Sequence, residues 1–454
     1  MLNLESMVYA LPEDVLKRKW AGDFDGEIEL INSMLSRDIP QFMRERLEIE
    51  RYVAGRLPAE YPLTRQQLVE RLTERVPDFR DEELDALELT RAVEYIYVLG
   101  EKRYHRSAVS TMLKVLPDLA ERAGIVKKPS EPSLKGFIAE IRENGTVSYR
   151  IALHGELKLS DDSFKKNAVV RCYLPVPRKC AQTGDITIDA PGGRLSDESA
   201  PQRTVYFERA SEENAPFIVD YSYVNTMRYI DLYAKDRPAP GILYPNEAAP
   251  TQDDLSEQYP HIVFTPALKA LAAELRGDST DPIDIARSFY DYITLNVKYS
   301  YMRSYALIEN QAEYCVLGGK GDCGIQALLF ITLCRIAGIP ARWQSGLDVD
   351  TKSAGCHDWA QFYTEDYGWL FCDPSFGGGA VRSHDEVQRE YYFGNLDPFR
   401  MVANSRYQTH FSPAEQWDRS DPYDNQDGEI SVDGKGLIYG QFETTYKTVC
   451  LEKI

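Results

Sequence analysis

The sequence of 454 residues has no long hydrophobic run. A membrane-spanning helix needs about eighteen uninterrupted apolar residues, and no stretch of the sequence comes near that length. The N-terminal segment MLNLESMVYALPEDVLKRKWAG also lacks the basic flank, apolar block and small-residue cleavage site of a secretory signal. We therefore expect no membrane partner and a cytoplasmic location.

Metal-binding motifs are absent too. The eight cysteines and six histidines include no CxxC, HxxxH or HExxH spacing that would present two ligands on one face. Such thinly spread cysteines do not indicate a disulfide framework either. Neither a metal nor another cofactor is predicted.

Basic residues are in deficit, with 52 Lys and Arg against 71 Asp and Glu and a formal net charge of −19. A surface of that sign repels phosphate backbones and anionic lipids, so nucleic-acid binding is not expected. With 43% hydrophobic and 27% charged residues, the composition is that of an ordinary globular protein.

Residues 1–128 are predicted to form a helical domain, because apolar residues recur mostly at three- and four-residue spacing in a charge-rich background. The run from Leu84 to Leu99 is the clearest example. Thr64, before RQQLVERLTERV, is typical of a helix N-cap. The run KKPSEPS at 127–133 is a predicted linker.

Residues 134–235 change to the two-residue period of strands. Asn144 and Gly145 stand between alternating apolar runs and predict a hairpin turn, since both tolerate positive φ. The later runs AVVRCYLPV, DITIDA, TVYFER and PFIVDYSYV extend the pattern. Together they predict a β-sandwich-like domain.

Residues 261–400 contain the segments that point to chemistry. Asp281 is a predicted helix cap, and GGKGDCGIQALLFITLCRIAGIPARWQSG is a glycine-rich approach to a nearly all-apolar helix that must be buried. The segment CHDWAQFYTEDYGWLFCDPSFGGG predicts two strands joined by a short polar loop. Residues 401–454 are predicted to form a C-terminal β extension, with a hairpin at Asp433 and Gly434.

Cys323 lies where the glycine-rich loop becomes the apolar helix. Free backbone N–H groups and the positive end of the helix dipole favour a thiolate there, and the same N–H groups could hold an oxyanion. A small buried hydrophobe is the alternative for any free cysteine, and we expect it for Cys334, well inside the helix. Asp322 either caps the helix or opposes the thiolate as a like charge, and we favour the cap.

A thiolate needs a base, and the base needs a group that orients it. If the two strands are joined by a five-residue loop, Tyr363 pairs with Trp369 and His357 stands diagonally beside Asp373. A loop one residue shorter would put them on opposite faces, so the register tests the hypothesis. The alternatives are a half-buried polar residue for His357 and a turn residue for Asp373.

Other candidate side chains have simpler interpretations. Cys356 and Cys372 neighbour His357 and Asp373, and the two-residue period should turn both towards the core. His384 and Asp385 stand in the polar run RSHDEVQRE, which is typical of an exposed helix start.

In the order GDCG, RIAGIPARWQSG, HDWAQFY and GWLFCDPSFG, the sequence resembles the transglutaminase-like superfamily, whose papain-like core uses Cys, His and Asp in that chain order. The resemblance implies Cys323 as nucleophile, His357 as general base and acid, and Asp373 as the orienting carboxylate. It also implies a papain/transglutaminase-like catalytic core, and the preceding β-rich region resembles, by its strand pattern, the module that often comes before such cores in bacterial members. The N-terminal helical domain has no counterpart in that family. Together the predicted domains give an α+β fold, with the catalytic core preceded by a β-sandwich-like module and an N-terminal helical domain. The position after His357 is often small in the family, whereas here it is Asp358, and this bears on substrate preference.

The resemblance further implies an enzyme that cleaves peptide or isopeptide amide bonds through a cysteine thioester, with a protein or peptide as substrate. One alternative is a protein-glutamine transglutaminase that crosslinks to amines, and another is a catalytically silent binding or scaffold protein. Trp343 and Trp359 are predicted to line a substrate groove, with core packing as the alternative. Gln311 is the candidate for a second oxyanion donor. The oligomeric state is left open.

Overall fold

The computed structural model describes residues 2–125 and 133–454, so nearly all of the predicted linker lies outside the described residues. The fold is α+β, as predicted: helices dominate the N-terminal region, and β-sheets and further helices follow. None of the described helices is long and apolar enough to cross a lipid bilayer.

The N-terminal region is mainly helical. Its elements are α1 (Glu13–Ala21), α2 (Phe24–Leu35), α3 (Gln41–Glu60), α4 (Arg65–Arg75), α5 (Asp81–Leu89), β1 (Tyr95–Val98), β2 (Glu101–Tyr104), α6 (Ala108–Val115) and α7 (Pro117–Arg122). The predicted cap of α4 is confirmed, since the Thr64 hydroxyl accepts from the Gln67 N–H at 3.2 Å.

The helix predicted from Leu84 to Leu99 is wrong in its second half. Helix α5 ends at Leu89, and β1 then pairs with β2, with Tyr95 opposite Tyr104. Leu99 and Gly100 form the turn at φ values of 49° and 86°, which a helix does not contain. The short apolar run is compatible with either period, and strand pairing decided between them.

The second region begins with a helix rather than a strand. Its elements are α8 (Leu134–Asn144), β3 (Thr146–Leu159), β4 (Val169–Pro175), β5 (Thr183–Asp189), β6 (Arg194–Leu195), β7 (Thr204–Ala210) and β8 (Phe217–Arg228). The four later strand predictions are confirmed, but the hairpin at Asn144 and Gly145 is wrong. Gly145, at φ 72°, ends α8 and donates its N–H to the Ile141 carbonyl at 2.8 Å.

The third region holds the core sheet and the helices around it. Its elements are α9 (Pro266–Arg276), α10 (Pro282–Asn296), β9 (Lys298–Tyr299), α11 (Gln311–Gly318), β10 (Lys320–Gly321), α12 (Cys323–Ile336), β11 (Ala341–Val349), β12 (Ala354–Thr364), β13 (Gly368–Cys372), α13 (Pro374–Arg382), α14 (Glu386–Tyr391), β14 (Phe393–Gly394) and β15 (Arg400–Asn404). The antiparallel sheet runs in the order β14-β13-β12-β11-β15. The apolar helix α12 is buried, as predicted, and its Phe330 packs edge-on against Phe362 of β12. Asp281 caps α10, which confirms that prediction.

The tail beyond β15 is divided among the sheets. Its strands are β16 (Glu429–Val432), β17 (Lys435–Gly436) and β18 (Phe442–Lys453). They complete two sheets of orders β17-β16-β4-β7-β6 and β18-β3-β8-β5, whose facing apolar residues form one shared core. The turn at Asp433 and Gly434 is confirmed by the pairing of Val432 with Lys435. Strand β15 lies in the core sheet, and β16 lies in one of these two facing sheets. The chain between β15 and β16 therefore crosses from the core sheet to the facing sheets.

Candidate active site

Cys323 is the first residue of α12, and its side chain is half-buried. The predicted cap is confirmed, because the Asp322 carboxylate accepts from the Ile325 N–H at 3.2 Å. The space beside the helix start is tight: a Cβ at Gly324 would come within 2.3 Å of the Tyr305 hydroxyl oxygen and 2.8 Å of Asp358 Oδ2. A glycine after the cysteine is therefore required by packing at this point.

His357 and Asp373 are brought together by the register of β12 and β13. Tyr363 pairs with Trp369, which confirms the five-residue loop on which the hypothesis depended. His357 Nε2 lies 2.7 Å from Asp373 Oδ2. Only 7% of His357 and none of Asp373 is exposed, so this pair is sheltered from water.

Asp373 is held as a carboxylate by several donors. It caps α13 by accepting from the Phe376 N–H at 2.9 Å, and Arg400 Nη2 lies 3.2 Å from its Oδ2. Burial alone would raise the pKa of Asp373, but His357 and Arg400 outweigh it and leave the pKa below its usual value. The Phe376 ring stands edge-on to the imidazole with ring centroids 4.5 Å apart. The imidazole is thus fixed by a charged partner on one side and a ring on another.

The thiol of Cys323 meets the residue that follows His357. Its Sγ lies 3.2 Å from Asp358 Oδ2 and forms a hydrogen bond there. Among the described residues, the thiol's hydrogen bond goes to Asp358 and the imidazole's goes to Asp373. The structure therefore joins His357 directly to Asp373, and joins Cys323 to the neighbour of His357 on the same strand.

Residues 269–374 match the model of the transglutaminase-like superfamily core. The chain carries a transglutaminase-like core. Cys323, His357 and Asp373 all fall within the matched residues. No curated protein matches the chain in sequence.

Solved structures give more distant similarities. A candidate cysteine protease from Cytophaga hutchinsonii has 14% identity and a TM-score of 0.40, with 68% of this chain and 90% of that chain covered. The periplasmic domain of TgpA from Pseudomonas aeruginosa has 16% identity and a TM-score of 0.28, with 56% of this chain and 96% of that one covered. A protease candidate from Parabacteroides distasonis has 12% identity and a TM-score of 0.23, with 47% and 42% covered. Similarities this distant assign no activity.

Acidic side chains lie near the Cys323 thiol: Asp358 contacts it, Asp322 precedes it in the chain, and Asp424 lies near Asp358. We call Asp322, Asp358 and Asp424 the carboxylate cluster. Tyr305 donates its hydroxyl hydrogen to Asp322, and Ser345 donates to Asp424. Gln426 Nε2 donates to Asp358, and to Asp424 Oδ2 at 2.8 Å.

This environment opposes ionisation of the thiol. Burial, then the charges of Asp358 and Asp322, raise the pKa of Cys323 well above its usual value. The net effect is opposite to the one predicted from the helix dipole alone. Burial also raises the pKa of Asp322 to about 6, and that of Asp358 well above its usual value. Sequence reasoning had named Asp322 and Asp358, but it missed Asp424 and Gln426, because these two come from a tail without any motif.

The residues predicted to contact substrate lie inside the transglutaminase-like core. Trp343 and Trp359 are 3% and 0% exposed, and their indole N–H groups donate to Ser345 Oγ at 3.0 Å and Gln344 Oε1 at 2.8 Å. Gln311 is fully buried and accepts from the Tyr407 hydroxyl at 2.8 Å. In this structure none of the three presents a surface to a substrate, because each completes its hydrogen bonds within the core.

Of the three other cysteines with a predicted environment, one departs from its prediction. Cys372 and Cys334 are buried, but Cys356 is exposed, and its Sγ lies 2.9 Å from Asp427 Oδ1. The prediction that Cys356 faces the core is wrong, because the tail brings a polar partner to that face of β12. Asp385 caps α14, which confirms the helix start. In the part of the chain that is described, no three His, Cys, Asp or Glu side chains are grouped to hold a metal ion.

Proposed function

We propose that the protein is a thiol enzyme that cleaves peptide or isopeptide amide bonds through a thioester on Cys323. The observation that carries the proposal is the buried contact of 2.7 Å between His357 Nε2 and Asp373 Oδ2. A buried imidazole with a charged partner at one nitrogen is oriented to move protons at the other. Cys323 stands at a helix N-terminus beside the same strand, which is where such a base is needed.

In the proposed acylation, His357 takes the thiol proton as the S–H bond breaks, the sulfur attacks the amide carbonyl, and the first N–H groups of α12 hold the oxyanion. The C–N bond then breaks, the imidazolium gives its proton to the leaving amine, and the acyl group stays on the sulfur. In deacylation His357 takes a proton from water as the water attacks the thioester, and the imidazolium returns that proton to the sulfur when the C–S bond breaks. Asp373 holds the tautomer of His357, and Arg400 holds Asp373.

Water is the proposed acceptor of the acyl group. Transfer to an amine, the transglutaminase reaction, differs only in the molecule that attacks the thioester. One assay can therefore detect both hydrolysis and transfer to an amine. The peptide or protein substrate and the cytoplasmic location stay predictions.

The test is turnover of casein and of a glutamine-containing peptide, with and without an added primary amine. We expect hydrolysis products from the intact protein and their loss in Cys323→Ala. Cys356→Ala is the matched control, because Cys356 is exposed and lies near the same site, and it should retain activity. Activity retained by Cys323→Ala would refute the nucleophile, and amine incorporation in place of hydrolysis would make the protein a transglutaminase.

A further inference from the structure

A cavity with basic walls lies outside the residues that match the transglutaminase-like core. Its volume is about 640 Å³, which is in the range of sites for small organic molecules. Residues 178–181 between β4 and β5, residues 198–199 between β6 and β7, the end of β8 and residues 243–247 line it. Because no lining residue falls within 269–374, the cavity is not part of the candidate active site.

The basic side chains of the cavity are Arg178, Lys179 and Arg228. Within the described part of the chain, none of these three side chains forms a hydrogen bond or an ion pair with another residue, and Arg178 Nε is buried without a partner. Acidic residues outnumber basic ones in this sequence, 71 to 52, so unpaired basic side chains are not explained by a shortage of carboxylates. Their charges are available to a ligand.

The two carboxylates of the cavity wall already have basic partners. Glu247 Oε1 accepts from Arg342 Nη2 at 2.8 Å, and Glu198 Oε1 lies 3.9 Å from Arg203 Nη2. These pairs balance two arginines that are not themselves lining residues. The cavity therefore keeps an excess of positive charge.

Arg178 shows the effect of this excess most clearly. Burial lowers the pKa of Arg178, and the nearby charges of Arg342 and Arg203 lower it further. The charges of Cys180 and Glu247 oppose this shift without reversing it. A sheltered guanidinium without an anion is unfavourable, and a carboxylate or phosphate can satisfy it with two parallel hydrogen bonds.

Another part of the cavity wall is apolar. Leu243, Tyr244 and Pro245 line it, and the Tyr244 hydroxyl accepts from the main-chain N–H of Arg228 at 3.0 Å. This hydrogen bond fixes the aromatic ring next to the strand end that carries a basic side chain. A ligand that fits both parts of the wall has a negative group and an apolar body.

We propose that this cavity is a binding site for a small organic anion, whose phosphate or carboxylate group is held by Arg178, Lys179 and Arg228. The apolar body of the ligand packs against Leu243 and Tyr244. The inference is independent of the proposed thiol chemistry, because it involves neither Cys323 nor a bond-breaking step.

The experiment is isothermal titration calorimetry of the intact protein with phenyl phosphate and with phthalate, at constant ionic strength because salt screens such interactions. The first probe carries a phosphate and the second carries carboxylates, so their relative affinities distinguish the two kinds of anion. We expect a Kd of about 1 mM or lower for at least one of them, as suits ligands of this size. Benzamide is the neutral comparison and should bind at least about tenfold more weakly.

Arg178→Met should weaken binding of the anion about tenfold, because it removes charge-assisted hydrogen bonds. The double substitution Lys179→Ala and Arg228→Ala should also weaken binding, and both residues are exposed, so the fold should tolerate it. The matched control is Lys269→Met, which removes an exposed positive charge from α9, away from the cavity, and should leave the Kd unchanged.

Three results would overturn the proposal. One is the absence of saturable binding of either probe at about ten times the expected Kd. Another is an unchanged Kd in the Lys179 and Arg228 double variant, which reports on the cavity even if Arg178→Met does not fold. The last is equal affinity for benzamide and the anions. Loss of amide turnover in Cys323→Ala would not affect any of these measurements, so this proposal and the proposed function fail separately.

Discussion

Arg400 Nη2 lies 3.2 Å from Asp373 Oδ2, the same carboxylate oxygen that His357 Nε2 contacts at 2.7 Å. Arg400 has no exposed surface, and Asp397 Oδ2 also accepts from it at 2.7 Å. Arg400 begins β15, at the far edge of the core sheet from β13, which precedes Asp373. The proposed base is thus oriented by a carboxylate that a guanidinium on another strand holds in place.

Replacing Arg400 with Met should destabilise the fold and reduce activity. The substitution leaves the buried carboxylates of Asp373 and Asp397 without their cation, and breaking a buried pair costs about 3–5 kcal/mol. Urea unfolding at neutral pH measures the loss. Arg406→Met, at an exposed ion pair with Asp253, should change the free energy of unfolding by about 0.5 kcal/mol or less. Equal effects of the two substitutions would show that the Arg400 contacts contribute no special stability.

Asp373→Asn should lower kcat strongly while leaving the fold intact. An amide keeps the size of the side chain but cannot stabilise an imidazolium, and in a Ser-His-Asp triad the equivalent change costs about 10⁴ in kcat. Peptide hydrolysis measures kcat, and near-ultraviolet circular dichroism shows whether the fold is intact. Asp350→Asn is the control, since Asp350 lies in an exposed turn. A fall in kcat of less than about tenfold would remove Asp373 from the mechanism.

Asp322→Asn should stabilise the protein at neutral pH. The pKa of Asp322 is raised from 3.8 to about 6, so the folded state binds its proton more tightly than the unfolded state does. The stability that the protonated Asp322 side chain contributes to the folded state is fully present below pH about 4 and is lost as the pH rises to about 6. Asparagine keeps the helix cap without the buried charge.

The expected gain at pH 7 is up to about 3 kcal/mol, since two pKa units correspond to that difference. It should vanish below pH about 4, and denaturant unfolding at both pH values measures it. A difference that grows as the pH falls would contradict the raised pKa.

Lys320→Met should loosen the N-terminal helical region from the transglutaminase-like core. Lys320 pairs with the buried Glu94, whose carboxylate also accepts from the Tyr61 hydroxyl at 3.0 Å. Removing the lysine leaves a buried carboxylate short of one cation, at a cost of about 3 kcal/mol. Limited proteolysis of Lys320→Met should release residues 1–125 sooner, whereas Lys269→Met, at an exposed lysine of α9, should leave the cleavage rate unchanged. Identical cleavage rates for the two variants would show that this contact does not hold the regions together.

Local signals in the sequence were sufficient for several elements. The caps at Thr64, Asp281 and Asp322 depend on one side chain and the N–H groups within three residues of it, so they need nothing from the rest of the fold. The β12–β13 hairpin also depends on residues close together in the chain. Its loop length sets the strand register, and the register brings His357 next to Asp373. The motif order then predicted the transglutaminase-like core.

Asn144 and Gly145 show where local signals were ambiguous. The positive φ of Gly145 suits both a hairpin turn and the end of a helix. Packing decided for the helix, since Phe137 of α8 lies edge-on to Tyr391 and Phe399 of the core.

The sequence by itself determined the helix start, the hairpin register and the Cys, His and Asp order of the candidate site, because each depends on residues close together in the chain. Only the tertiary structure decided what surrounds the sulfur. Asp358 points at Cys323, and Gln426 and Asp424 reach them from a tail nearly seventy residues further along. That tail is held by strand pairing at β15 and β16, and pairing between distant strands leaves no pattern in the sequence near the site it encloses.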